Sequence, residues 1–199
     1  MKALILPFLF TTLLFGCENK ETNYSAPVVQ GNSFKIETIG ATIIFPKNYV
    51  EASFDGYKAL LMAGDDSTNN WPDRFKFSSL PKGSHVYYNS NSLSEHILFI
   101  NGGYIPFNKE LAKEFIAVQH FKWTKTWEKM GISSERVETK YMESGTANII
   151  KVRYYLIIGL NRAYITQYVI TRNKRSFAFS VFNATEDDFQ DYITAIKFY

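Results

Sequence analysis

The last third of the chain alternates between hydrophobic and polar positions with a period of two residues. This pattern runs through residues 135–141, 148–158, 164–171 and 176–182, which are rich in isoleucine, valine and aromatic residues. A period of two with these residue types is typical of β-strands. Short turns at residues 159–162 and 173–175 separate the strands. The sequence therefore predicts an antiparallel meander.

Two other segments have hydrophobic positions at helical spacing. Residues 108–130 predict a long helix, because Asn108 can cap its start and Gly131 can end it in a left-handed conformation. A final helix is predicted to begin at Thr185, with Asp188 as its capping partner. The aromatic stripe of the long helix is more often core packing than a ligand site. Hydrophobic positions recur at helical spacing in both segments. They are Leu111, Phe115, Ile116, Val118, Trp123, Trp127 and Met130 in the long helix, and Phe189, Tyr192, Ile193 and Ile196 in the final one.

The first half of the chain predicts shorter elements. Residues 34–45 predict one or two strands with a turn at Gly40, residues 57–62 are a short hydrophobic segment, and residues 97–100 predict a buried strand. Glycine, proline, asparagine and serine dominate residues 64–95, which predicts a long loop region in which Phe75, Phe77, Tyr87 and Tyr88 are spaced as in short strand pieces. A loop region of this length inside a compact domain is often functional.

The order of these elements predicts an α+β fold, in which a long central helix and a C-terminal helix pack on an antiparallel β-sheet. The corner at residues 43–49 (IIFPKNY), the closing hairpins, and residues 179–180 and 186–192 (EDDFQDY) resemble the Mog1/PsbP-like group. The resemblance covers less than half of the chain. It implies the same fold, and a role as a binding or assembly module rather than an enzyme.

The first seventeen residues have the pattern of an export signal. A positive start is followed by a mostly hydrophobic stretch over residues 3–15, which as a helix would span about 20 Å and is too short to cross a bilayer. The sequence Leu14-Phe15-Gly16-Cys17 resembles the lipobox of bacterial lipoproteins, in which the small residue precedes the cut and the thiol accepts lipid. The alternative is an ordinary signal peptide, or a buried N-terminal strand with a chance cysteine.

The lipobox resemblance implies an organisation in three parts. Residues 1–16 are a lipoprotein signal peptide, residues 17–32 are a lipidated N-terminus and polar tether, and residues 33–199 are a single α+β domain. Lipid on Cys17 would anchor this domain to a membrane. Residues 18–21 are similar to surface-export signals of Bacteroidetes lipoproteins. We therefore expect a location at the outer membrane or on the periplasmic face.

Composition narrows the classes of protein. The chain of 199 residues is 17% aromatic, too hydrophobic for a disordered protein. Its 22 basic and 19 acidic residues are too evenly balanced to favour nucleic acid as a partner. Because Cys17 is the only cysteine, the mature domain has no residue for a disulfide, a thiolate nucleophile or a cysteine-based metal site.

The sequence contains no motif for a catalytic, cofactor or metal site. His85, His96 and His120 are not spaced as metal ligands on a helix. The segment from Asp65 imitates the start of a calcium loop, but Lys76 stands where a bidentate glutamate is needed. No phosphate-binding glycine loop or nucleophile elbow is present. We therefore predict no catalytic residues, no metal and no cofactor.

Aromatic residues in the region of residues 64–108 are the candidate binding surface. Aromatic side chains on polar loops often grip proteins or sugars. The alternative is that they fold back and form a small satellite core. The candidates are Trp71, Tyr87, Tyr88, Tyr104 and Phe107.

Three hypotheses for function follow. The first is a non-enzymatic envelope lipoprotein that binds a partner protein or assists an assembly. The second is a carbohydrate-binding protein or hydrolase that uses residues 64–108, with an acid or a histidine facing the aromatic residues across a cleft. The third is an immunity-type lipoprotein that blocks a toxin in the periplasm. The candidate acids of the second hypothesis are Asp65, Asp66, Asp73 and Glu95.

Overall fold

The computed structural model describes residues 26–63 and 81–199, within which the strands form two antiparallel sheets. The large sheet contains β3 (Tyr49–Ala52), β4 (His85–Asn89), β5 (Ser92–Gly102), β6 (Ser133–Ser144), β7 (Ala147–Ile158), β8 (Asn161–Arg172) and β9 (Arg175–Asn183). The small sheet contains β1 (Asn32–Ile36), β2 (Ala41–Phe45) and β10 (Lys197–Phe198). The helices are α1 (Phe54–Ala63), α2 (Lys109–Lys129) and α3 (Gln190–Thr194), and a 3-10 turn spans Glu37–Ile39. No helix in this part of the chain is long and apolar enough to cross a bilayer.

The strand order of the large sheet is β3-β4-β5-β9-β8-β7-β6. Strands β6 to β9 are neighbours in sequence and in space, and every pair is antiparallel. This confirms the predicted meander and the predicted α+β class. The β4–β5 hairpin joins the meander through β9, where Phe99 lies opposite Phe179.

Both faces of the large sheet are buried, and each has its own hydrophobic core. On one face, the small sheet and α3 pack against residues such as Ile149, Phe179 and Val181; we call this the β2 face. On the other, α1 and α2 pack against residues such as Tyr154 and Ile165; we call this the α2 face. Successive side chains of a strand point to opposite faces, so one strand supplies both cores.

Helix α2 has the ends that the sequence predicted. The Asn108 side-chain oxygen accepts hydrogen bonds from the backbone amides of Glu110 and Leu111, at 3.0 and 2.9 Å. Gly131 follows the helix with a φ of +71°. The buried side of the helix carries Ala112, Ile116 and Trp127.

Two of the hydrophobic positions of this helix, Leu111 and Val118, do not face the core. Their side chains are exposed, and so is that of Phe121. At 100° per residue, these three positions lie on the side of the helix opposite Ile116 and Trp127. The hydrophobic positions of this helix therefore form two stripes, one toward the core and one toward solvent.

The predicted loop region also needs correction, because its end is a hairpin of regular strands. Residues 85–89 and 92–102 form β4 and β5, and the turn formers Ser90 and Asn91 lie at the hairpin tip. The Asn89 side chain accepts a hydrogen bond from the Asn91 amide at 2.9 Å, which stabilises the tip. Residues 64–80 lie outside the described parts of the chain, and residues 57–62 belong to α1.

The final helix begins later than predicted. Helix α3 starts at Gln190, and its first amide donates to the Asp188 side chain at 3.0 Å. Thr185 does not cap it, because its hydroxyl donates to the Asp187 side chain at 3.1 Å instead. Phe189 and Ile193 are buried as expected, with Tyr192 and Ile196 half-buried against the same core.

The β8–β9 turn generates a prediction about stability. Asn173 and Lys174 have φ values of +49° and +58°, as in a type I′ turn, although neither residue is glycine. Lysine is strained in this conformation and glycine is not. We expect Lys174→Gly to raise the free energy of unfolding by about 0.5 kcal/mol, measured by urea denaturation. Lys174→Ala is the control and should give no gain; a gain equal to that of glycine would contradict the strain.

Candidate functional site

The structure does not bring the predicted aromatic candidates together on one surface. Tyr87 is fully buried on the β2 face, where its ring centroid lies 4.9 Å from that of Phe34. Phe107 is buried on the α2 face, beside Phe115. Both therefore belong to the hydrophobic cores. This agrees with the alternative that the aromatic residues fold back, except that they join the two main cores and not a separate small one.

The other aromatic candidates differ in exposure. Tyr88 is half-buried on the α2 face, with its ring centroid 5.6 Å from that of Tyr57. Tyr104 is 51% exposed. Trp71 lies outside the described residues. Of this set, Tyr104 alone among the described members presents more than half of its surface to solvent.

The three histidines lie in three separate environments. The His85 ring contacts the Glu51 carboxylate at 2.6 Å, near the β3 edge of the sheet. The His120 ring nitrogen lies 3.1 Å from the Tyr154 hydroxyl, beneath α2. His96 is buried against Phe182, with ring centroids 4.4 Å apart. Within residues 26–63 and 81–199, no three histidine or acidic side chains are grouped as metal ligands.

Glu95, the candidate acid that lies within the described residues, has a hydrogen-bond partner inside the sheet. Glu95 accepts a hydrogen bond from the Asn89 side chain at 2.6 Å, across the β4–β5 hairpin. Asp65, Asp66 and Asp73 lie outside the described residues, as do the calcium-like segment and Cys17.

The sequence analysis did not single out a charged cluster on the β2 face. Lys151, in the middle of β7, has a side chain that is 1% exposed. Its ammonium group lies 2.7 Å from the Glu138 carboxylate of β6 and also bonds the Asp188 carboxylate. One signal could have revealed it: Lys151 and Arg153 interrupt a long hydrophobic strand two residues apart, so they share a face.

Electrostatics favour the ionised form of Asp188 in this cluster. Burial opposes its ionisation, but hydrogen bonds from Lys151 and from the Gln190 amide, with the nearby Arg153, hold the pKa of its carboxyl below the ordinary value. The two carboxylates compensate the buried lysine, as a charge in a poorly solvated position requires.

We call this charged cluster, with the polar side chains around it, the Lys151 network. The segment of residues 184–189 lies over it. The Arg153 guanidinium donates to the Glu186 carbonyl and stacks 4.5 Å from the Tyr164 ring centroid. The Tyr164 hydroxyl donates to the Glu186 carboxylate at 2.9 Å. The Asn183 side chain donates to the Asp187 carbonyl. Side chains of the sheet thus hold an irregular segment of backbone in place.

Some polar atoms of the Lys151 network are buried without a hydrogen-bond partner in the part of the chain that the structure describes. Within the described residues, four of its buried polar atoms have no hydrogen-bond partner: Arg153 Nε, Thr166 Oγ1, Tyr168 OH and Asn183 Oδ1. Thr166 lies directly opposite Arg153, and Tyr168 opposite Lys151, on the neighbouring strand. Because its charged centre is buried, the arrangement is suited to positioning residues 184–189 rather than to meeting a substrate in solution.

The β6 edge of the large sheet presents an open surface. Strand β6 is twelve residues long, and among the described strands it pairs only with β7. A bulge interrupts this pairing between Arg136 and Glu138, and Val137 within the bulge is 55% exposed. An open groove of about 440 Å³ lies where α2 ends and β6 begins. Its lining residues are Thr124, Glu128, Gly131, Ile132, Ser133 and Ser134.

Comparison with solved structures supports the fold assignment. The chain is similar to the solution structure of cyanobacterial PsbP (CyanoP) from Synechocystis, with a TM-score of 0.56 and 12% identity over 87% of this chain and 95% of that one. This confirms the predicted PsbP-like α+β fold. A crystal structure from Bacteroides thetaiotaomicron matches with a TM-score of 0.47 and 10% identity, over 86% of this chain and 49% of that one. No family model and no curated protein matches the sequence.

The Lys151 network generates a prediction about stability. Lys151→Met removes the cation and leaves two carboxylates without their counter-charge. We expect the free energy of unfolding to fall by about 2 kcal/mol, which is less than for a fully buried pair because Glu138 and Asp188 are partly exposed. Chemical denaturation would measure this. Lys140→Met is the control, since Lys140 is exposed and its ammonium group bonds an uncharged partner, the Gln190 side chain, at 3.3 Å. An equal loss in both variants would contradict a special role for Lys151.

The buried His96 predicts a dependence of stability on pH. Burial lowers the pKa of His96 from 6.5 to about 4, so between these values the unfolded chain binds more protons than the folded one. Stability from this group is complete above pH 6.5 and is lost as the pH falls toward 4, by about 3 kcal/mol. Urea unfolding across this range should show the loss in the native chain and in a His85→Gln control. A His96→Gln variant that keeps the same slope would refute the assignment.

Proposed function

We propose that this chain is an envelope lipoprotein, anchored by lipid on Cys17, whose domain binds a partner protein or assists an assembly without acting as an enzyme. The lipobox pattern supports the anchor. The resemblance to the PsbP-like group supports the class of activity, since its members serve mainly as binding or assembly modules. The anchor would place the domain at the outer membrane or on the periplasmic face.

The open edge of strand β6 is the observation that carries the binding function. The other edge strand of the sheet, β3, has four residues, whereas β6 has twelve. A long edge has unpaired backbone amides and carbonyls that an extended segment of another protein can pair with. The groove at the start of β6 adds a concave surface beside that edge.

The Lys151 network supports the same proposal in another way. It uses charged side chains, which in an enzyme could serve as acid or base, to bind the chain's own segment of residues 184–189. A domain whose irregular segment is held in place in this way offers a partner a preorganised surface, which lowers the entropy lost on binding. An immunity-type role would be one case of the same function, with a toxin as the partner.

The anchor is tested by replacing the thiol. We expect the native protein to incorporate a fatty-acid probe in cells and to sediment with membranes, because a thioether can form only at Cys17. Cys17→Ser should take up no probe and leave the membrane fraction. Equal labelling and equal partition of the two forms would refute the lipoprotein assignment.

The binding function is tested by co-purification of the lipidated protein from its own membrane. We expect a partner in a fixed stoichiometric ratio. Val137→Glu should weaken its recovery about tenfold, because a charge at the exposed bulge opposes docking at the β6 edge. Leu160→Glu is the matched control, since Leu160 is an equally aliphatic, fully exposed residue in the β7–β8 turn, and it should recover the partner normally. Recovery of the protein alone, with turnover of a sugar or ester, would favour the hydrolase hypothesis instead.

A further inference from the structure

Helix α2 presents hydrophobic side chains to solvent along the side that faces away from the core. Leu111, Val118 and Phe121 are 46%, 52% and 58% exposed. Spacings of seven and three residues place them in one row on a helix, opposite Ile116 and Trp127. We call this row the outer stripe. A single exposed leucine is ordinary, but three aligned on the longest helix form a surface that can bind an apolar partner.

Lysine side chains flank the outer stripe in the second half of the helix. Lys122 and Lys125 follow Val118 and Phe121 by four residues each, and Lys129 follows Lys125 by four. The Lys125 ammonium group lies 4.3 Å from the Phe121 ring centroid. Glu114 lies on the same side nearer the start of the helix, and Glu128 borders the stripe in the last turn. Residues 122–129 hold three lysines and this one acid, so the last two turns carry a net positive charge.

We propose that the outer stripe and its lysines form a surface that contacts an anionic lipid bilayer. Apolar side chains on one face of a helix can enter the boundary between headgroups and acyl chains, while lysine stems extend outward to the phosphates. The three lysines complement the negative charge of such a membrane surface. The pattern therefore fits a helix that lies on the membrane, with its buried side packed on its own domain.

The bilayer is the chosen occupant because lipid on Cys17 would keep the domain at a membrane, a step that rests on the proposed function. If lipid holds Cys17, residues 18–31 connect the membrane to β1, and even fully extended they span only about 50 Å. The domain then stays at the bilayer at a high effective concentration, so even a weak surface contact is occupied. A protein partner at this helix is the alternative outcome of the test.

The test uses the mature lipidated protein in vesicles, with a polarity-sensitive dye on one added cysteine. Acylation blocks the Cys17 thiol, so Val118→Cys or Leu160→Cys would carry the dye alone. In vesicles containing phosphatidylglycerol, we expect the dye at 118 to become about threefold less accessible to an aqueous quencher than in phosphatidylcholine alone. The dye at 160 reports a turn outside the stripe and should not change.

Charge variants separate a specific surface from a general effect of charge. In the Val118→Cys protein, Lys122→Glu, Lys125→Glu and Lys129→Glu together should abolish the protection. The matched control changes three exposed lysines outside α2 by the same charge, Lys35→Glu, Lys47→Glu and Lys82→Glu, and should keep it. Loss of protection in both variants would overturn the proposal.

The remaining outcomes are also decisive. Equal responses at 118 and 160, or no dependence on phosphatidylglycerol, would overturn the membrane surface. Protection in native membranes but not in vesicles would assign the stripe to a protein partner and overturn it as well. Dye on Cys17 of the otherwise native protein would show that the lipoprotein assignment is wrong. A Cys17→Ser, Val118→Cys variant, which carries the dye at 118 alone, would then still report on the helix surface.

Discussion

Burial of both faces of the large sheet is the constraint on which the rest of the structure depends. The long strands β7 and β8 carry hydrophobic side chains at consecutive positions, such as Ile149 and Ile150, so neither face can be left to solvent. One face is covered by α1 and α2, and the other by the small sheet and α3. Each covering element packs hydrophobic side chains against one of the two faces.

The Lys151 network lies where this hydrophobic pattern is interrupted. Polar residues occupy one end of the β2 face, and residues 184–188 cover that end by hydrogen bonds and ion pairs, while Phe189 packs in the hydrophobic core beside it. Directional interactions of this kind specify one conformation for a segment that has no helix or strand of its own. The network therefore links the sheet to α3 through geometry as well as through burial.

Much of the fold could be predicted from the sequence, but little of the candidate site could. The meander and the ends of α2 follow from local signals, namely the two-residue period, Asn108 and Gly131. The burial of Tyr87 and the exposure of Leu111 could not be predicted, because composition and spacing do not reveal which side of an element meets the core. The contact between Lys151 and Asp188 joins residues 37 apart in the sequence, and the open edge of β6 depends on the order of all seven strands. Both features arise from long-range contacts, which local sequence patterns do not predict.

The bulge at Val137 also has a consequence for how the molecule avoids assembling with itself. A second strand that approached β6 would meet a change of register at this point, so the edge is divided into two shorter runs of pairing groups, residues 133–136 and 138–144. Stacking of many copies into a fibril requires long, flat and repetitive strands, which the bulge does not allow. The same irregularity can thus admit a short ligand strand and reject polymerisation.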